Sequence, residues 1–267
     1  FMNNRDHRKI TVIDGKVGFT GGYNLAEEYF NRTHPYGYWK DTGIMLTGDA
    51  VRNLTVMFLE MWNAVRKTDM DYDKYLPKVE YTAKEQGFVQ PYADSPLDHE
   101  TTGENVYMNL IKNAKHEIFF TTPYLIITDE MSRELRMAAR RGVDVRIVTP
   151  GIPDKKMVYQ MTRSYYSELA RIGVRIYEYT PGFIHAKQCV CDGESATVGT
   201  INMDYRSLYL HFENGVLMYH YDAVAEIRKD FEDIFAASTE VTEKYNGRKS
   251  VPARMGRGVL RLFSPLV

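Results

Sequence analysis

Two short stretches of this chain hold residues that could do chemistry together. His7-Arg8-Lys9 is followed by Asp14, and His185-Ala186-Lys187 by Asp192, so both fit His-x-Lys-x4-Asp. The match continues downstream. Asn24 stands as far beyond His7 as Asn202 does beyond His185, and Gly21-Gly22-Tyr23-Asn24 aligns with Gly199-Thr200-Ile201-Asn202. A lone histidine on a strand is ordinarily a core or surface residue, whereas a whole pattern repeated with its distal residues indicates a duplicated module. Histidine offers a base or nucleophile near neutral pH, lysine a compact cation and asparagine amide donors. Two such sets suit a phosphate diester, whose non-bridging oxygens need donors and whose displacement needs a nucleophile and an acid. One histidine, neutral, would attack phosphorus and form a covalent phosphohistidine. The other, protonated, would give its proton to the leaving alkoxide and then take one from the incoming hydroxyl. His7, Lys9, His185 and Lys187 form the catalytic set, with Asn24, Asn202 and the Thr200 hydroxyl as phosphate donors. Lysine and asparagine already neutralise the developing charge, so the chemistry needs no metal and no cofactor.

The elements that must position these residues are strands. Side chains at i and i+2 of an extended segment project together, and Ile10-Thr11-Val12-Ile13 and Gln188-Cys189-Val190-Cys191 are rich in strand-favouring types. Each copy therefore reads as a strand that holds an imidazole beside an ammonium. A turn at Asp14-Gly15 or Asp192-Gly193 and a second strand would bring the Gly-x-x-Asn segment back alongside. Asp14 and Asp192 belong to the motif and so to the candidate catalytic residues. Their place before glycine at a strand-to-turn junction nevertheless favours a turn-capping role over direct catalysis. At Gly22, the partner of Thr200, only the backbone could serve a phosphate.

These residues resemble the phospholipase D superfamily, and the flanking stretches resemble the bacterial cardiolipin synthases over nearly the whole chain. Those stretches include Trp39-Lys40-Asp41-Thr42-Gly43, Thr122-Pro123-Tyr124, Ala139-Arg140-Arg141-Gly142-Val143, Asn202-Met203-Asp204-Tyr205-Arg206-Ser207 and Phe212-Glu213. The resemblance implies that His7 becomes phosphatidylated and that His185 shuttles the proton; the near-symmetry of the two copies does not itself settle that order. It also implies that Glu213 and Asp41 orient the imidazoles, and crosswise: Glu213 with His7, Asp41 with His185. The implied reaction is phosphatidyl transfer between phosphatidylglycerol molecules at an anionic bacterial membrane, giving cardiolipin. A phospholipase D-type hydrolase, or a transferase using another alcohol, would share the intermediate. A nuclease is disfavoured by a net charge of −1 and by the lack of a basic stripe beside the motifs. A non-catalytic membrane-binding module is disfavoured by two intact motifs.

Composition is ordinary for a globular chain of 267 residues, 44% hydrophobic and 26% charged. The two cysteines, Cys189 and Cys191, make no disulfide framework and read as buried. No apolar run approaches the ~18 residues of a membrane span. Among the abundant tyrosines, Tyr124 is the one read as a substrate contact. Strands alternating with helices predict an α/β architecture of two pseudo-symmetric lobes, each a mainly β sheet flanked by helices. Helical spacing is expected over Ala50–Val65, with Trp62 in the core. Before His185 come a helix up to Ala114, a strand Ile118–Thr122, a helix Asp129–Arg141, a strand Val143–Thr149, a helix Lys155–Arg171 and a strand Val174–Tyr179. Before His7 stand only six residues. If the halves are true repeats, the first lacks roughly 90 residues of scaffold, and the resemblance implies membrane helices ahead of that scaffold. The expected organisation is an incomplete first lobe over 1–82, a linker over 83–100, a second lobe over 101–243 and a tail over 244–267. The tail carries Lys244, Arg248, Lys249, Arg254, Arg257 and Arg261 and no acidic residue. Met255, Val259, Leu262 and Phe263 fall on one helical face, the pattern of an amphipathic helix at an anionic surface.

Overall fold

The computed structural model describes residues 4–66, 71–82 and 86–247. Strands β1 (Ile10–Ile13) and β2 (Val17–Gly21) form a hairpin, and β4 (Gly43–Thr47) adds to β2 after the short β3 (Tyr38–Lys40). Asp14 and Gly15 have φ of 53° and 64°, the left-handed pair that a tight primed hairpin turn requires, and Lys16 N–H closes it onto the Ile13 carbonyl. Helix α1 spans Ala50–Val65 and buries Val51, Leu54 and Met57 against this sheet. Trp62 is not core: it is 43% exposed and stacks on Phe58, one turn earlier on the outward face of the helix.

The second, larger unit is an eight-stranded mixed sheet. Its members are β5 (Phe88–Asp94), β6 (Glu117–Thr121), β8 (Asp144–Pro150), β9 (Arg175–Tyr179), β11 (Gln188–Cys191), β12 (Ser195–Gly199), β14 (Glu213–Tyr219) and β15 (Ser238–Glu240), in the order β15-β9-β8-β6-β11-β12-β14-β5. Short strands β7 (Leu125–Ile126), β10 (Gly182–Ile184) and β13 (Met203–Asp204) lie outside it. Helices α2 (Thr102–Asn113), α3 (Asp129–Arg140) and α4 (Lys156–Ala170) pack on one face with α7 (Thr242–Asn246), and α6 (Asp222–Ala236) covers the other; α5 (Tyr205–Tyr209) is a single turn. The parallel strands β6, β8 and β9 are joined through α3 and α4, and each sends buried apolar side chains to both faces: Phe119 and Phe120, Ile147 and Val148, Ile176 and Tyr177.

The segment expected to be a linker differs. Phe88–Asp94 is an ordered edge strand, paired antiparallel with β14 along its full length. Pro91 and the acidic residues around it break helical periodicity, but an edge strand tolerates a proline because one side of its backbone needs no partner. Residues 83–85 lie outside the described residues, as do 248–267, and with them nearly all of the expected amphipathic tail. Cys189 and Cys191 are unpaired and buried in the core between α2, β6 and β11. Among the described residues no helix is long and apolar enough to cross a membrane.

The two motif hairpins sit differently in their sheets. β11 lies between β6 and β12, whereas β1 pairs only with β2 among the described residues.

Candidate active site

Both His-Lys pairs lie just ahead of the strands expected to carry them: His185-Ala186-Lys187 links β10 to β11, and His7-Arg8-Lys9 precedes β1. What holds them is the other half of the molecule. β10 runs parallel to β3, with Gly182–Ile184 beside Tyr38–Lys40, and the Lys40 carbonyl accepts from the backbone N–H of His185 (2.7 Å) and Ala186 (3.1 Å). On the opposite side, His7 N–H donates to the Phe212 carbonyl at 2.9 Å, and Phe212 N–H to the Arg5 carbonyl at 2.9 Å. Each histidine is thus tied by its backbone to the segment that carries the opposite carboxylate.

The side chains follow. His7 Nδ1 lies 2.9 Å from both carboxylate oxygens of Glu213, and His185 Nδ1 lies 2.8 Å from Asp41 Oδ2. A carboxylate only accepts, so Nδ1 carries the proton in each pair and Nε2 is left for chemistry. Glu213 is fully buried and also accepts from Ser207 Oγ (2.7 Å) and from the Thr200 hydroxyl. Asp41 accepts from Thr42 N–H at 2.9 Å and from the Trp39 indole at 3.4 Å. Gly22 leaves room for Asp41: a Cβ there would stand 2.0 Å from Asp41 Oδ1. The longer Glu213 instead meets the Thr200 hydroxyl. The unequal residues at 22 and 200 thereby match the unequal lengths of the two carboxylates.

Both imidazoles open onto one cavity of about 480 Å³, lined also by Asn24, Asn202, Tyr124 and Tyr29. Lys9 Nζ donates to the His7 carbonyl (2.6 Å) and Lys187 Nζ to the His185 carbonyl (2.5 Å), a matched pair. Burial pushes both ammonium groups down, Lys9 to about 8 against the carboxylates of Glu213 and Asp41, and Lys187 to about 7 against Asp41. Burial, with Lys187 nearby, also takes His185 down to about 4, although Asp41 opposes this. Burial works against ionisation of Glu213, but the imidazoles of His211 and His7 and the Thr200 hydroxyl hold it down at about 2. Asp41 is likewise held below its usual range against burial, by His185 and Lys187. The empty site is a set of desolvated bases and cations with a negative charge kept beneath each imidazole.

Neither Lys9 nor Lys187 lines the cavity itself, and three further expected site residues take other roles. Asp192 accepts the backbone N–H groups of Lys115, His116 and Glu117 at 2.8–2.9 Å, which caps the loop between α2 and β6 away from the cavity. Asp14 occupies the matching turn, is exposed, and does not line the cavity. Thr200 is fully buried; its hydroxyl donates to Glu213 and accepts from Asn214 N–H at 3.0 Å, so it orients a carboxylate and has no proton left for a phosphate. The Gly22 N–H is also spent, on the Thr42 carbonyl. Asn24 does line the cavity, where its Nδ2 donates to Tyr29 Oη at 2.6 Å, and buried Asn202 lines it from the other lobe. Tyr124 reaches Asp154 through a 2.5 Å hydrogen bond, with the Lys155 ammonium 5.6 Å from its ring.

Sequence reasoning passed over Tyr29, Asp154, Lys155 and His211, all of which line the cavity. The first three come from segments without internal symmetry. His211 was visible, two residues before Glu213. It also completes the one group of donor atoms among the described residues close enough to share a cation, His7, His211 and Glu213, within 4.8 Å of one another. The Glu213 oxygens of that group are already taken by His7, Ser207 and Thr200.

Comparison with known proteins shows what the chain that holds this geometry is similar to. Residues 107–235 match the family described as cardiolipin synthase, PLD-like domain. The whole chain is 38% identical to a cardiolipin synthase of Geobacillus kaustophilus and 37% identical to cardiolipin synthase 2 of Bacillus cereus, spanning 53% and 52% of their lengths. It is 46% identical to an uncharacterized protein of Streptococcus mutans, of which it spans 58%. The chain therefore covers about half the length of the curated relatives it matches. In fold, 99% of the chain superposes on 69% of the crystal structure of phosphatidylserine synthase from Haemophilus influenzae, with a TM-score of 0.70 at 16% sequence identity. Over its whole length the chain is thus similar to cardiolipin synthases, and its residues 107–235 match the PLD-like domain described for them.

Proposed function

We propose that this chain carries both catalytic histidine motifs of a phosphatidyltransferase that forms cardiolipin from two molecules of phosphatidylglycerol. The observation that carries the reading is the pair of crosswise imidazole–carboxylate dyads, 2.9 Å and 2.8 Å, opening onto one cavity. Similarity to cardiolipin synthases supports the choice of lipid.

In this reading His7 Nε2 attacks the phosphorus of the first phosphatidylglycerol. The P–O bond to glycerol breaks, and the leaving oxygen takes the proton of His185 Nε2. Glu213 stabilises the positive charge that forms on His7. The primary hydroxyl of the second phosphatidylglycerol then gives its proton to His185, attacks phosphorus and releases His7. Lys9, Lys187, Asn24 and Asn202 hold the non-bridging oxygens. Burial leaves His185 and Lys187 short of protons when the cavity is empty. The negative charge of an incoming diester raises both, so that the acid is armed when substrate is present. The reaction takes place at an anionic membrane surface, and nucleic acid is not a partner.

The test is product analysis with headgroup-labelled phosphatidylglycerol and the complete protein in anionic vesicles. Cardiolipin with free glycerol in equal amounts supports the proposal. Phosphatidic acid as the main product would replace it with a hydrolase sharing the same intermediate. Denaturing trapping should give a phosphatidyl adduct on His7 that accumulates in His185→Ala; an adduct on His185 alone reverses the two roles.

A further inference from the structure

The two halves of the site correspond more closely than the repeated motif reveals. Two residues before Asp41 stands Trp39, whose indole N–H donates to Asp41 Oδ2 at 3.4 Å and whose ring lies 5.2 Å from that of His185. Two residues before Glu213 stands His211, whose Nδ1 lies 3.7 Å from Glu213 Oε1 and whose ring lies 5.7 Å from that of His7. Both rings wall the imidazole that belongs to the opposite motif, and both turn a ring nitrogen toward its carboxylate. The difference is chemical: an indole is a permanent donor, and an imidazole gains and loses a proton near neutral pH.

His211 has no other evident task. Its side chain is nine-tenths buried, lines the cavity with His7, and neither ring nitrogen has a hydrogen-bond partner among the described residues. Buried polar atoms without partners are rare and need a reason. The groups that face it are Glu213 and His7, with Asp204 within electrostatic reach; Arg206 receives its backbone N–H, and Arg5 and Arg206 line the same cavity.

We infer that His211 is a positioning residue for the His7–Glu213 dyad, sharing the Glu213 carboxylate with His7 and coupling the two imidazoles' protonation. Neutral, with its proton on Nδ1, His211 turns that N–H toward Glu213 from 3.7 Å, beyond hydrogen-bond reach, and so acts on the carboxylate electrostatically where Trp39 hydrogen-bonds Asp41. Protonated, it competes with His7 for the same charge. Among the described residues, the place that a second imidazole takes beside His7 is taken beside His185 by the Trp39 indole. The inference rests on the reading of His7 as a reacting group only in its activity arm.

The test has two arms. In the first, side-chain NMR follows the His7 imidazole through pH 4 to 9, which needs no turnover. The His7 signals should depend on pH differently in the wild-type protein and in His211→Gln, as two rings sharing one carboxylate require. Superimposable His7 titrations in the two proteins would overturn the inference, whatever the reaction is. In the second arm, His211→Phe keeps the ring and removes the donor. It should lower kcat about tenfold with KM changed less than about twofold, and His211→Gln should recover to within about threefold. Equal loss in Phe and Gln variants of unchanged thermal stability would show that the ring alone matters and would also overturn it. Absence of cardiolipin with His7 signals that still differ between the two proteins would count against the proposed function and leave this inference standing.

Discussion

At the scale of single residues, the site is governed by desolvation. Lys187 is buried to 1% exposure and Lys9 is largely covered, and both hold their protons less firmly than a surface lysine, at about 7 and about 8. These folded-state values lie below the unfolded one, so the ammonium forms are strained at low pH and relax to neutral amines as pH rises through them. A bound anion favours the charged form and must bring a proton with it above those values. Sulfate tests this cleanly, because its own charge does not change between pH 6 and 9. Its affinity, measured by calorimetry, should be nearly level below pH 7 and fall above it by up to about tenfold per pH unit for each lysine that must take up a proton. Lys187→Met should remove the onset near pH 7 and leave that near pH 8. A level affinity across the whole range would mean that the lysines keep their protons in the empty site.

At the scale of elements, matching sequence words do different work. Asp14 and Asp192 close equivalent hairpins with φ of 53° and 52°, yet among the described residues only Asp192 has backbone donors facing it, those of Lys115, His116 and Glu117. Exchange of that carboxylate for an amide leaves N–H groups without acceptors, so Asp192→Asn should cost about 2 kcal/mol in denaturant unfolding. Asp14→Asn tolerates the same backbone and should stay within about 0.5 kcal/mol. Neither should change kcat of the folded protein by more than about twofold; a large loss of activity at full stability would return the aspartate to the catalytic set. The same contrast marks what the chain's sequence could convey. The limits of α1, Ala50–Val65, are legible because an apolar face at helical spacing is local information. So are the two His-Lys pairs, because they repeat. Pro91 hid strand β5, since its pairing to β14 depends on residues far along the chain. Thr200 looked like a phosphate donor for a related reason. Nothing local says that its hydroxyl is already given to Glu213. Trp62 looked like core because a helix has no marker for which of two apolar faces the sheet covers.

At the scale of the whole molecule, the arrangement is an exchange. The imidazole of each lobe is oriented by a carboxylate of the other, and the backbone bonds of His185 to Lys40 and of His7 to Phe212 fix that exchange before any substrate arrives. A further buried pair crosses the same boundary, Asn214 Nδ2 donating to Thr20 Oγ1 at 2.9 Å. Each carboxylate is nearly or fully buried in the folded chain, at 8% exposure for Asp41 and 0% for Glu213, and draws its imidazole partner from the other lobe, so removing that imidazole alone would cost on the order of 3–5 kcal/mol. Lobes of one chain are therefore held to each other, and a lobe from a second copy has no unsatisfied carboxylate to answer. This makes complementation a direct test of where the site lies. Equimolar His7→Ala and His185→Ala proteins, mixed after folding, should form no more product than the sum of the two alone, because each still contains one broken dyad in its own cavity. Recovery toward a quarter of wild-type activity or more would mean that lobes pair between copies in solution. Co-refolding of the same two variants from denaturant sharpens the comparison. Activity that appears only after co-refolding places the choice of partner lobe at the folding step, where the crossing bonds of His7 and His185 are first made.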